Sequence, residues 1–318
     1  MLRVASLNMR NFNSFNKDII QVAKIFRDCA CDVIALQEVL NQDGAKLSTN
    51  IGGLDSLRRM IGPYWDAFRV PINERFGKDN PYLKRDNRGE GYAFLWNTQR
   101  IELLKNRDGQ EIFPCQFMDY RPGVKLNCLR RDPGYGRFRI KNTKTEIRVI
   151  NVHIISEMPS KENFNSKIPI KDVEDLRRKE FDVIAGKIYK NINHNRDINF
   201  NSVYTIIIGD YNLNLEGYGE DKASIQEVRC YDMFGNQSDW GLTEIKTIQT
   251  DRTTIKGDFS GFKNNYDHCS YINDRKHSLA IRGCNRNINL DESDSAEKIK
   301  EYYNYVSDHL PIVVDINC

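Results

Sequence analysis

A chain of 318 residues in which 40% are hydrophobic and 29% charged, with a mean hydropathy of -0.61, is too apolar for a disordered polyampholyte and too polar for a membrane protein. No apolar run reaches the roughly 18 residues that a bilayer span requires. Forty-seven Lys and Arg against forty-four Asp and Glu leave a net charge of +3, a balance that neither selects nor excludes a polyanionic partner, so local patches decide.

The opening residues MLRVASLNMR have no basic start, apolar stretch and small-residue cleavage site, so they read as a strand over 2–7 rather than a secretory leader. This gives a cytoplasmic protein as the expectation, with a secreted one whose leader has been removed as the alternative. Residues 18–27 place Ile19, Val22, Ala23 and Phe26 on one helical face, and 32–36 return to a strand pattern. The apolar segments 92–96, 147–152, 204–208 and 310–316 are short and rich in β-branched or aromatic residues, which predicts further strands. A long helix is predicted over 171–190, with Leu176, Phe181, Ile184 and Ile188 inward and Asp172, Glu174 and Asp175 near its start. The acidic cluster at Asp291, Glu292, Asp294 and Glu297 reads as another helix start.

No linker rich in Pro, Gly or Ser divides the chain, so one domain over 1–318 is the simplest organisation. Segments 73–91 and 107–139 read as basic loops in which cations and tyrosines alternate, a mixture that suits phosphate backbones and base or sugar faces. Residues 156–170 form a polar insertion punctuated by proline. The eight cysteines (Cys29, Cys31, Cys115, Cys128, Cys230, Cys269, Cys284 and Cys318) contain no C-x-x-C and no paired Cys/His spacing, which excludes a structural zinc site and gives no sign of a disulfide scaffold.

Several polar groups stand where predicted strands run out: Asn8 after 4–7, Gln37 and Glu38 after 33–36, His153 after 149–152, and Gly209-Asp210-Tyr211-Asn212 after 206–208. Ser307-Asp308-His309 immediately precedes the last strand. Carboxyl ends of strands in α/β sheets line the ligand crevice, so groups distant in sequence can converge there. Singly each signal is weak, because strand-end Asn and Asp usually form turns and a lone His usually packs.

In order, the motifs L-N-M-R-N-F, Q-E, E-x-Y, a strand-closing H, G-D-x-N, Y-D and S-D-H-L-P resemble the endonuclease/exonuclease/phosphatase superfamily over 2–316. Within it the chain looks most like the deoxyribonuclease I family. That assignment rests on Arg88-Gly89-Glu90-Gly91-Tyr92-Ala93-Phe94, which resembles the family's E-x-Y-x-F strand, and on Arg131-Asp132-Pro133, which resembles its R-E-P segment. Asn8 with Arg10 matches the opening N-x-R, and Asp267 falls on the Y-D motif.

The resemblance implies an α/β (α+β) fold of four layers, two mixed β-sheets packed face to face with helices outside. It implies Mg²⁺-dependent hydrolysis of DNA phosphodiesters with little sequence preference. A phosphodiester is anionic, so a site must neutralise charge, deprotonate water and protonate the leaving oxygen. Glu38, with Asn8 and Asp308, offers hard oxygen ligands for Mg²⁺, or for Mn²⁺ or Ca²⁺, and the lack of a Cys/His cluster argues against zinc. The implied pairings are Glu90 with His153 and Asp267 with His309. His309 is assigned as the base that activates water and His153 as the acid that protonates the leaving 3′ oxygen, an assignment the sequence leaves reversible. Asp210 is expected to hold the nucleophilic water or a second metal, and Asn212 the scissile phosphate. Arg10, Arg131, Arg88 and Tyr92 are the expected substrate contacts. The expected partner is double-stranded DNA and the expected assembly a monomer.

The pattern departs from secreted relatives in three places. An arginine that enters the minor groove in those relatives is Leu40 here, and a tyrosine that packs on a sugar is Arg88, which pairs with phosphate but stacks differently. The positions of a disulfide fall on Leu215 and Asn264, which suits a reducing compartment. Rival readings are a phosphoesterase of the same superfamily acting on a phosphoinositide, sphingolipid or nucleotide, and a silent member that binds nucleic acid or a protein. Loss of a histidine or metal carboxylate would mark the silent member, and none is missing.

Overall fold

The first unit forms as its pattern dictates. Strand β1 (Leu2–Phe12) leads to helix α1 (Ile19–Asp28), whose first turn is closed by Asp18 accepting from the Gln21 amide, a cap that short acidic side chains provide well. Helix α1 buries Val22, Ala23, Ile25 and Phe26 and delivers the chain to β2 (Val33–Val39), parallel to β1. There follow α2 (Gly52–Ile61), β3 (Trp65–Pro71), β4 (Gly91–Asn97), β5 (Ile101–Leu103), β6 (Gly134–Ile140) and β7 (Thr145–His153). Helix α3 (Val173–Val183), capped by Asp172, runs through a π-helical turn at Ile184–Tyr189 into α4 (Lys190–His194). Then come β8 (Ser202–Asp210), β9 (Ile245–Ile248), β10 (Asp267–Ile272), β11 (Leu279–Gly283), α5 (Ala296–Tyr305) and β12 (Ile312–Ile316). This computed structural model describes residues 1–13, 16–40, 52–71, 90–104, 131, 133–156, 171–194, 199–214, 245–248, 252–272, 279–283, 290–291 and 293–318.

The strands form two six-stranded mixed sheets, one ordered β11-β12-β1-β2-β4-β3 and the other β5-β6-β7-β8-β10-β9. Adjacent residues of the central strands serve different layers, because side chains alternate across a strand. Val149 and Ile206 join Val4, Val33, Phe94 and Val314 between the sheets. Their neighbours Ile150 and Ile207 pack outward on Phe181, Ile184 and Ile188. On the opposite side Leu7 and Leu36 meet Val22, Phe26, Leu54, Leu57 and Ile299. Three apolar layers thus separate helix, sheet, sheet and helix, the four-layer sandwich expected. Strands buried on both faces read as continuous apolar runs, which is why β1, β2, β7 and β8 were visible in the sequence.

Two expectations are corrected. The basic segment 107–139 is not loop throughout: its last residues are β6, where Phe138 and Tyr135 are core and the cations pair within the sheet, Arg137 with Glu146 and Arg139 with Glu102. The long helix is not uniform, since the π turn interrupts it. Arg88, Leu215, the cysteines at 115, 128, 230 and 284, nearly all of 73–91 and 156–170, and the rest of 107–130 lie outside the described residues. Ser295 caps α5, so the acidic cluster does precede a helix. Among the described cysteines Cys29, Cys31 and Cys269 are buried and Cys318 is exposed. No helix among the described residues is long and apolar enough to cross a membrane.

Candidate active site

Register within each sheet brings the strand-end polar groups to one rim. In the parallel β7–β8 ladder His153 is the direct partner of Asp210, and in the antiparallel β8–β10 ladder Asp210 is the partner of Asp267. In the facing sheet Asn8 is paired with Gln37 beside Glu38, and Glu90 stands at the mouth of β4. The backbone bends sharply here. Arg10, Asn11, Glu38 and Asn212 have φ of 46, 57, 55 and 49°, a left-handed region that costs non-glycine residues energy and is retained chiefly where function needs it. Gly209 has φ +140°, and a Cβ there would lie 2.2 Å from the Val152 carbonyl oxygen, so only glycine lets β8 approach β7 next to Asp210.

Two histidines are each fixed by a carboxylate. His153 Nδ1 lies 2.7 Å from Glu90 Oε1, and Glu90 Oε2 accepts from Arg131 Nη2 at 2.9 Å. His309 Nδ1 lies 2.8 Å from Asp267 Oδ2. A carboxylate accepts the Nδ1 proton, which leaves each Nε2 facing the pocket. Both point at one atom: Asp210 Oδ2 is 3.6 Å from His153 Nε2 and 3.7 Å from His309 Nε2. Glu38 Oε1 is 3.7 Å from His153 Nε2. Asn8 Nδ2 donates to Glu38 Oε1 at 3.1 Å and to Asp210 Oδ2 at 3.0 Å, while Glu38 Oε2 accepts from the Asn11 amide.

These carboxylates set the electrostatics. Burial pulls the His309 imidazole toward neutrality, but Asp267 and Asp210 outweigh it and hold its pKa well above the ordinary histidine value. A cation bound by these carboxylates would lower it again. At the rim, burial and then Arg10 bring the Lys17 ammonium down to about 8 despite Asp308 and Glu38.

The structure brings together Asn8, Glu38, Glu90, His153, Asp210, Asp267 and His309, and it alters the parts that others were expected to play. Asn8 Oδ1 accepts from the Arg10 amide at 2.9 Å, so Asn8 presents its amino group, not an oxygen ligand, to the carboxylates. Asn212 donates its side-chain nitrogen to the Ile154 carbonyl and its backbone amide to Asp210 Oδ1. Tyr92 is buried at 1% exposure, and its hydroxyl accepts from the His153 amide at 3.2 Å, so it supports His153 from within the core. Asp308 sits at the mouth, 3.6 Å from Arg10 Nε. The Arg10 guanidinium carbon stacks 4.0 Å over the Tyr303 ring. Arg131 is held on Glu90 and half-buried.

Sequence reasoning missed the supports. Ser307 Oγ donates to the Asn8 carbonyl at 2.5 Å and accepts from the His309 amide at 3.1 Å. Tyr302 donates to the His309 carbonyl at 3.1 Å. Of these only Ser307 stood inside a motif. A divalent cation fits the donor set: Glu38 and Asp210 are hard oxygen donors converging on one amide nitrogen, and ligand atoms of Asp210, Asp267 and His309 lie within 4.8 Å of one another.

A sequence profile described as the Endonuclease/Exonuclease/phosphatase family matches residues 5–221. No curated protein matches the chain at a significant level. Among solved structures, the chain is similar to a Bacteroides thetaiotaomicron mannosyl-6-phosphatase, with 15% identity, TM-score 0.54 and 100% of each chain covered. It is similar to D. rerio TDP2 complexed with a single-strand DNA product, with 11% identity, TM-score 0.53 and coverage of 100% of this chain and 99% of that one. A humanized D. rerio TDP2 carrying 14 mutations aligns at 12% identity and TM-score 0.52 over 100% of this chain and 99% of its own. At these identities the likeness is one of fold.

Proposed function

We propose, for a chain that belongs to the endonuclease/exonuclease/phosphatase family, that it is a Mg²⁺-dependent endonuclease of the deoxyribonuclease I type, hydrolysing DNA phosphodiester bonds with little sequence preference. Members of this superfamily are hydrolases of phosphoester bonds. In this reading the enzyme is a cytoplasmic monomer, a single domain over 1–318, and its substrate is duplex DNA.

One observation carries the reading: two imidazoles, each fixed at Nδ1 by its own carboxylate, direct Nε2 at a single Asp210 oxygen. Hydrolysis of a diester needs a base for water and an acid for the departing alkoxide, held on either side of phosphorus, and paired histidines supply both at neutral pH. His309 takes the proton of the attacking water, and Asp267 stabilises the imidazolium that forms. His153 gives its Nε2 proton to the leaving 3′ oxygen, with Glu90 holding the ring and Arg131 holding Glu90. Asp210 orients the water between them. Asn8 bridges the Glu38 and Asp210 carboxylates by donating to both from one amide nitrogen. Arg10 and Arg131, with Arg88, meet the phosphate backbone, and Asn212 turns the loop beside the scissile phosphate. A bound Mg²⁺, or Mn²⁺ or Ca²⁺ in its place, supplies Lewis-acid neutralisation of phosphate charge, and Glu38 with Asp210, and Asp308 at the mouth, are the residues that would hold it.

A substrate panel with Mg²⁺ tests this reading. Supercoiled plasmid, linear duplex, single-stranded DNA, a phosphoinositide, sphingomyelin, a nucleotide and a sugar phosphate are incubated with pure protein. Nicking of plasmid ahead of the other substrates is expected; preferential release of phosphate from a small ester would replace the endonuclease reading with another activity of the superfamily.

A further inference from the structure

We infer that Thr253 is a positioning residue that sets Asp267 against His309, an inference that rests on the hydrolase reading above for its effect on turnover but not for its geometry. Asp267 and His309 lie 42 residues apart. Asp267 opens β10 of one sheet, whereas His309 precedes β12 of the other. Among the described residues no ladder of either sheet fixes one member of the pair relative to the other, although their hydrogen bond decides where His309 Nε2 points.

Residues 253–255 fill that gap. Thr253 is buried at 2% exposure. Its Oγ1 accepts from the backbone amides of both Tyr266 and Asp267, each at 3.1 Å. Its carbonyl accepts from the Leu310 amide at 2.7 Å, one residue beyond His309. The flanking links run the same way: Thr254 bridges His309 in antiparallel fashion, and the Ile255 amide donates to the Asp308 carbonyl at 2.9 Å. One residue therefore grips the carboxylate's backbone with its side chain and the imidazole's backbone with its main chain. The main-chain grip survives any substitution; the side-chain grip needs an oxygen at Cβ. Valine keeps the shape and removes the acceptor that the Tyr266 and Asp267 amides share, which frees the start of β10 to shift. Misplacing an acid–base group by about 1 Å can cost about 10²-fold in rate.

The test compares Thr253→Val, Thr253→Ala and Thr253→Ser, with folding of each checked by chemical denaturation; the alanine variant serves if the valine variant does not fold. We expect kcat on a DNA substrate to fall by roughly 10- to 100-fold in the valine and alanine variants with KM unchanged, and the serine variant to stay within about twofold. In a double-mutant cycle with Asp267→Asn, the loss caused by Thr253→Val should nearly vanish, because a residue acting through Asp267 has nothing left to position. An activity-independent arm reads the low-field proton resonance of the His309 Nδ1–H bonded to Asp267. It should be present in wild type and the serine variant, and shifted or lost in the valine variant. An unchanged resonance in folded Thr253→Val, or a kcat loss fully additive with Asp267→Asn, overturns the inference. Wild-type protein inactive on every phosphodiester but showing the resonance pattern overturns the hydrolase reading and keeps the clamp.

Discussion

His153 stands directly across from Asp210 in the parallel β7–β8 register, and its Nε2 lies 3.6 Å from the Asp210 Oδ2. Two strands that end on the same rung thus place an acid–base group and a carboxylate side by side without help from any loop. Gly209 permits that approach. Its substitution by alanine meets both a disfavoured φ and a backbone oxygen 2.2 Å from the new Cβ. Gly209→Ala should therefore destabilise the protein by at least about 2 kcal/mol in urea denaturation, and what folds should be impaired in turnover because Asp210 moves with it.

Glu90 carries both Arg131 and His153, one on each oxygen. Glu90→Gln keeps the shape but removes the charge that stabilises an imidazolium, so kcat should fall by roughly 10²-fold with little change in KM. Steady-state kinetics across the neutral range check it; an unchanged kcat would remove Glu90 from the account.

Tyr92 separates support from substrate contact. Because its hydroxyl accepts from the His153 amide inside the core, Tyr92→Phe should cost about 1–2 kcal/mol of stability and lower kcat while KM holds. A rise in KM alone would put the phenol against substrate after all.

Buried His268 gives the fold a pH signature. Burial lowers its pKa to about 4, while its Nε2 donates to the Leu213 carbonyl at 2.6 Å. The folded state keeps this ring neutral while the unfolded chain protonates it near the ordinary value of about 6.5. Protons therefore bind the unfolded state preferentially between those values, and stability falls as pH drops from about 6.5 to 4, then levels off. The unfolding free energy from urea denaturation at pH 7, 5.5 and 4.5 should decline by about 2–3 kcal/mol in total, and His268→Gln should flatten that decline.

What the sequence disclosed and what it hid have physical causes. The central strands β1, β2, β7 and β8 were legible because both of their faces are buried, so the apolar run is continuous. Helix α1 was legible through its single apolar face. Strand β6 was hidden because Arg137 and Arg139, which look like a solvated basic loop, are neutralised by Glu146 and Glu102 inside the sheet. Helix α2 begins with two glycines, the poorest non-proline helix formers, and is held by packing of Leu54 and Leu57. In the site, the strand-end carboxylates and histidines were legible because polar residues at the close of an apolar run stand out. Tyr302 and Thr253 were not, because each acts by its side chain on a backbone 7 to 14 residues away, which leaves no local pattern; Tyr92 stood in a motif, but its bond to the His153 amide was not visible there.

The central claim is that Glu38 and the Asp267–His309 pair belong to a single hydrolytic pocket. Initial rates of Mg²⁺-dependent plasmid cleavage by wild type, Glu38→Ala and His309→Ala, each confirmed as folded, test it most directly. Each variant should cleave at least about 10²-fold more slowly than wild type. Wild-type rates in both variants, or wild-type protein that leaves plasmid, duplex and single strands uncut with Mg²⁺, Mn²⁺ and Ca²⁺ alike, would contradict it.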